Sequence, residues 1–227
     1  MNLKKALDKA KIGIMLQGSV FISTVAFSMK HSFNDNGMEC PTARTNGKEI
    51  QYNPTFFEQL TPPQRIGLIA HEAWHPALMH MLRRGNRDPD LYNRAGDYVI
   101  NQMLVDDGFE IPPGGCQNNK YRGMSTNQVY DLLKDDSNEK PDKNNKDIVY
   151  AEEGKGDGDG DKKGQEGNVQ ALTEKEIKEM EANIKSILVK AVTQSKIHNE
   201  EPGNIPGEIS RELDRLINPK LPWEAIL

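Results

Sequence analysis

Cysteine is scarce in this chain: Cys40 and Cys116 are the only two in 227 residues, far apart and in no CxxC pair. Their scarcity excludes a disulfide-stapled secreted scaffold and points to two thiols in a reducing compartment. An excess of positive charge is also missing. The net charge of −5 is local, because the stretch from Asp135 to Gly167 carries eleven Asp/Glu against six Lys and leaves the rest neutral. A neutral body with an acidic insert has no basic face for nucleic acid. Long apolar runs are absent as well. The nearest is IGIMLQGSVFISTVAF, preceded by Lys4, Lys5, Lys9 and Lys11 in the manner of a signal peptide. Gln17, Gly18 and Ser19 interrupt it, no small-residue cleavage site follows, and it is short for a membrane span. It reads as one or two core helices of a cytoplasmic protein with no membrane contact. No internal repeat occurs, and the length suits one large domain or two small ones.

What is present begins with helix punctuation. Residues 3–30 read as helical. Asn46-Gly47 signals a tight hairpin turn, both of whose central positions need φ > 0. Ile50 and Tyr52 then alternate with Glu49, Gln51 and Asn53 as a half-buried strand. Thr61-Pro62 supplies an N-cap and a first helical residue for a helix running to about Arg84, with Gly85 as its stop. Asp88-Pro89 repeats that signal and opens a helix to about Val105, and Ser125 caps a shorter one. Residues 135–169 hold too few apolar side chains to offset the entropy of ordering and are expected to be disordered. GDGDGDKKGQEGN inside them places Asp157, Asp159 and Asp161 like calcium ligands. Lys162 stands where the loop needs Gly, however, and Asn168 where it needs Glu, so this is a solvated tether. Helices follow at 173–197 and 206–217.

Three of the five histidines fall in HEAWHPALMH, residues 71 to 80. On a helix His75 lies about 40° around from His71, with Glu72 between them, so all three side chains leave one face. Two neutral imidazoles one turn apart can share one Zn²⁺, and Glu72 is then placed to act as a general base on a zinc-bound water. HExxH arises by chance in roughly one chain in two hundred of this length, so context matters. Ile66, Leu68, Ile69, Ala70, Ala73, Trp74, Ala77 and Leu78 make the helix apolar over most of its circumference and predict burial. Buried histidines and a buried glutamate need partners, and a metal supplies them.

A catalytic site needs a third protein ligand. His80 is a poor candidate, since on a continuous helix it points about 140° away from His75. The second helix carries Asn93, Asp97 and Asn101 at i, i+4 and i+8, residue types that disfavour helix interiors. Asp97 is the expected third ligand, the alternative being a carboxylate that grips a zinc-bound histidine. Asn93, Asn101, His80 and Tyr98 are assigned to orienting ligands or touching substrate. Lys48–Asn53 is either a strand that pairs with an extended substrate or an ordinary edge strand. Pro76 within the helix is unaccounted for at this level.

The ordered set TNGKEIQYNPTF, IAHEAWHPALMH and RRGNRDPDLYNRAGDYVIN resembles the zincin-like metallopeptidase domain that precedes a von Willebrand A-like domain in bacterial and phage proteins. NIPGEISRELDRLINPKLPWEAIL resembles the junction into that second domain, whose DxSxS motif is not found here. The resemblance implies an α+β, mostly helical zincin-like fold with a small antiparallel hairpin before the HExxH helix. It implies one zinc ion on His71, His75 and Asp97, with Glu72 catalytic. The expected organisation is a peptidase core at 1–134, an acidic linker at 135–169, and a helical segment at 170–227 that packs on the core and leads toward the second domain. The leading function is hydrolysis of a protein or peptide substrate. The alternative is a metal-stabilised interaction module without turnover, working with a von Willebrand A-like domain or an AAA+ ATPase. Hydrolysis of a non-peptide amide also fits such ligands.

Overall fold

A computed structural model describes residues 1–34, 41–136, 148, 150–153, 169–200 and 207–217. The fold is organised by the helix α4 (Pro62–Ala77), which follows from its caps and composition. Thr61 accepts from the Gln64 N–H, the Gln64 side chain returns the bond to the Thr61 N–H, and proline fills the first turn. From Gly67 to Ala77 every residue of α4 is buried. Trp74 packs on Phe21 of α2 (Val20–Ser28), with ring centroids 5.8 Å apart. α1 (Leu3–Gln17) also lies against α4, so the interrupted apolar run is indeed two packed helices. Among the described residues no helix is long and apolar enough to cross a membrane.

The sheet is mixed, where an antiparallel hairpin was expected. β2 (Ala43–Thr45) and β3 (Glu49–Tyr52) form the hairpin, and β1 (Lys30–Phe33) adds to β3 in parallel, giving the order β1-β3-β2. Only Gly47 of the turn has a left-handed φ, +82°. The loop is longer than a two-residue turn, and the Asn46 side chain closes it by accepting from the Lys48 and Glu49 N–H groups. β3 is bonded on both sides, so Lys48–Asn53 is the central strand and has no edge to offer a substrate. Among the described residues the outer edge of β2 carries one bridge, from Thr45 to Ile148.

Asn53 and Pro54 start a short α3 (Pro54–Gln59) that the sequence reading missed. α6 (Pro89–Asp106) is capped by Asp88 and packs on α4, and α7 (Thr126–Asp135), capped by Ser125, packs on α6. Inside the stretch expected to be disordered, β4 (Tyr150–Glu153) pairs in parallel with β5 (Val169–Leu172). Cys40 and the calcium-like GDGDGD run lie outside the described residues. α8 (Glu174–Ile197) lies along α2 and α9 (Gly207–Ile217) against α8. Asn183 of α8 donates to the Gly47 carbonyl at the hairpin turn.

The helix expected to reach Arg84 breaks. α4 ends at Ala77, Met79 adopts the left-handed conformation at φ +53°, and α5 (His80–Arg83) starts anew. Pro76 has no N–H to give back to the preceding turn, so the ladder is already one bond short when it ends. The Leu78 N–H turns to the Trp74 carbonyl and the Met79 N–H to that of Pro76.

Candidate metal centre

α4 and α6 bring three donor atoms to one point. His71 Nε2 and His75 Nε2 are 3.1 Å apart, and each is 3.4 Å from Asp97 Oδ1. Ligands about 2.0–2.1 Å from a tetrahedral zinc stand about 3.3–3.4 Å from one another. The triangle therefore has the dimensions of one face of such a site, and the donor set of two imidazoles and a carboxylate suits zinc. Among the described residues the cluster has only these three His, Cys, Asp or Glu members. All three are buried, His75 completely.

Hydrogen bonds on the far side of each ring bear on which nitrogen is the donor. The Asn101 amide gives its N–H to the Cys116 carbonyl at 3.0 Å and so turns Oδ1 toward His71. His71 Nδ1–H donates to that oxygen at 2.8 Å, which leaves the Nε2 lone pair facing His75 and Asp97. His75 Nδ1 meets His80 Nδ1 at 3.0 Å, and His80 Nε2 meets Thr126 Oγ1 at 2.8 Å. The break at Met79 makes this contact. On a continuous helix His80 would have pointed away; instead it lies beside His75, on the side opposite the donor triangle.

The protonation states suit ligation. Burial lowers the pKa of His75 to about 4, outweighing the Asp97 bond that pulls it up. Burial, then the neighbouring His75, holds His80 well below the usual imidazole value. Burial pushes the Asp97 carboxyl up, but hydrogen bonds and charge from His71 and His75 outweigh it and keep the group below the usual carboxylate range. A neutral His75 imidazole beside an ionised Asp97 carboxylate is what a divalent cation requires.

Glu72 sits between the two histidines in sequence and is 1 % exposed. Burial, and then the charge of Glu72, raise the Tyr52 phenol well above its ordinary pKa, so the carboxylate lies toward β3. Asn93, one turn before Asp97, is fully buried. A cavity of about 590 Å³ opens on His71, Asp97 and Asn101. Tyr98, also expected here, lines it and packs edge-on against Tyr121 at 4.9 Å. Sequence reasoning missed Arg94, Pro41, Thr42, Phe56 and the loop from Pro112 to Gln117, which complete the wall. Arg94 was legible, since it stands three residues before Asp97 and shares its face. The loop residues carry no signal, because their role comes from where the chain passes.

A family model described as "Putative metallopeptidase domain" matches residues 3–227. The chain belongs to this family. Neither a curated protein nor a solved structure matches it. For a metallopeptidase domain the buried His71–His75–Asp97 cluster is the natural metal-binding candidate, and the cavity gives it access from one side.

Proposed function

We propose that this chain is a zinc-dependent peptidase of zincin-like type, with His71, His75 and Asp97 as ligands and Glu72 as general base. One observation carries the reading: three donors spaced 3.1, 3.4 and 3.4 Å apart, two of them flanking Glu72 in an HExxH helix. A three-residue set at the edge of a cavity leaves a coordination position for reactants, unlike a closed structural site. Bound zinc would supply Lewis acidity, polarising the scissile carbonyl and lowering the pKa of a coordinated water to about 7. The Glu72 carboxylate takes the proton from the attacking water and delivers it to the leaving amine. Asn101 holds the His71 ring, and Tyr98 and Arg94 face the substrate from the cavity wall. Thr42, the residue before β2, lines the same cavity, so β2 is the strand along which an extended peptide would lie.

Glu72→Gln tests this. The parent, loaded with zinc, should cut casein or its own 135–169 segment. The variant should bind equal zinc and cut at least about 100-fold more slowly. Should the zinc-loaded parent leave both uncut, the peptidase reading fails. A metal-stabilised module serving a von Willebrand A-like or ATPase partner would replace it.

A further inference from the structure

The chain of side chains behind His75 has a direction, and the direction decides whether a metal can bind. His75 Nδ1, His80 Nδ1, His80 Nε2 and Thr126 Oγ1 form a continuous line of hydrogen bonds of 3.0 and 2.8 Å through a fully buried region. Two neutral imidazoles in series can carry their protons in only two consistent ways. In one, His75 Nδ1–H donates to His80 Nδ1, His80 Nε2–H donates to Thr126, and the His75 Nε2 lone pair is exposed to the donor triangle. In the other every bond is reversed, Thr126 donates, and His75 Nε2 carries a proton where a cation would sit.

The geometry around His80 is built for this contact. Gly96, next to the proposed ligand Asp97, lies under the ring. A Cβ there would come within 2.7 Å of His80 Cε1 and 2.8 Å of Nδ1, so no other residue leaves the ring where it is. The left-handed turn at Met79 swings His80 back toward His75. Thr126 is the first residue of α7, 46 positions away in sequence from His80.

We propose that His80 and Thr126 are positioning residues for the metal ligand His75, holding its imidazole in the tautomer that presents Nε2, with Gly96 conserving the space that His80 occupies. The inference rests on the metal-site reading above. It adds that α7, which contributes no ligand, contributes to metal affinity. Removing the Thr126 hydroxyl penalises the two proton arrangements unequally. The metal-binding one is left with a buried N–H donor without acceptor, the reversed one only with a bare acceptor nitrogen, and orphan donors are the rarer and costlier case.

The experiment is competition for Zn²⁺ between the full chain and a chromogenic chelator. Thr126→Val, nearly equal in shape, should weaken zinc binding by about 10- to 100-fold, the range for loss of a residue that orients a metal-bound histidine. Thr126→Ser, which keeps the hydroxyl, should bind within about twofold of the parent, an outcome that a mere packing role would not give. Gly96→Ala should weaken binding like Thr126→Val. Equal zinc affinity for parent and Thr126→Val overturns the inference while leaving the metal site standing. A parent that binds no zinc at all removes both.

Discussion

His31 shows at the residue scale how this chain handles a histidine outside the candidate metal centre. Its Nε2–H donates to the Ala26 carbonyl at 2.9 Å, so Nδ1 is left to accept from the Tyr52 hydroxyl at 2.8 Å. Burial holds its pKa below 6.5; the Lys11 charge adds to that and the Ala26 bond opposes it. The folded state therefore prefers the neutral ring, whereas the unfolded chain takes up a proton near pH 6.5. The stabilisation is complete above that pH and is lost as pH falls from it toward the folded value. Chemical denaturation of metal-free protein should show stability declining from pH 7 to pH 5, and His31→Gln should flatten part of the slope. His75 and His80 shift in the same direction and add to it. At this scale the sequence was informative where periodicity governs. His71, Glu72 and His75 share a face by helix geometry, and the Asn93–Asp97–Asn101 stripe declared a polar neighbour. Gly96, Thr126 and Tyr52 were silent because each matters through a contact far along the chain.

The elements were read best at their beginnings. Thr61, Asp88, Ser125 and the helix starting after Thr173 all appear where capping chemistry puts them. Ends were harder. The break at Met79 uses a left-handed non-glycine residue, which steric rules make uncommon, so a sequence reading waits for Gly85 instead. β1 went unseen because KHSF is four residues long and its partner lies beyond a hairpin. The close approach of α4 to the loop after α6 gives a test at this scale. A Cβ on Gly67 would fall 2.0 Å from the Glu110 carbonyl oxygen, a backbone atom with little freedom to retreat. Alanine gains up to about 1 kcal/mol of helix propensity over glycine, yet such an overlap costs about 3 kcal/mol. Gly67→Ala should therefore lower Tm by a few degrees. Gly13→Ala, whose Cβ would meet the Ile66 side chain at Cδ1 and Cγ1 and no backbone atom, should cost less than Gly67→Ala. Thermal unfolding of both variants checks the ordering.

Over the whole molecule, α8 ties the N-terminal helices to the hairpin, while α6 packs on α4 and α7 on α6. The mostly helical α+β class was legible because helix signals dominate the chain. The long-range joining of β4 to β5 was not, since the separating residues hide it from any local pattern. A ligand bound only by the folded state adds RT ln(1 + [L]/Kd), about 2.7 kcal/mol at one hundred times Kd. Zinc at that level should raise Tm by about 5–10 °C, and a chelator should return it. No change with saturating zinc in calorimetry would count against a single folded-state site.

The spacing of the three donors has one more consequence. Because α4 and α6 are held in place by neighbours along their whole buried length, His71, His75 and Asp97 are gathered before any cation arrives. If the proposed metal site is real, capture would demand almost no rearrangement, and hydrogen exchange in both helices would slow uniformly without a new pattern of protection. An ion that prefers six oxygen neighbours would find this pocket too nitrogenous, and discrimination among cations would be settled during folding, ahead of any encounter.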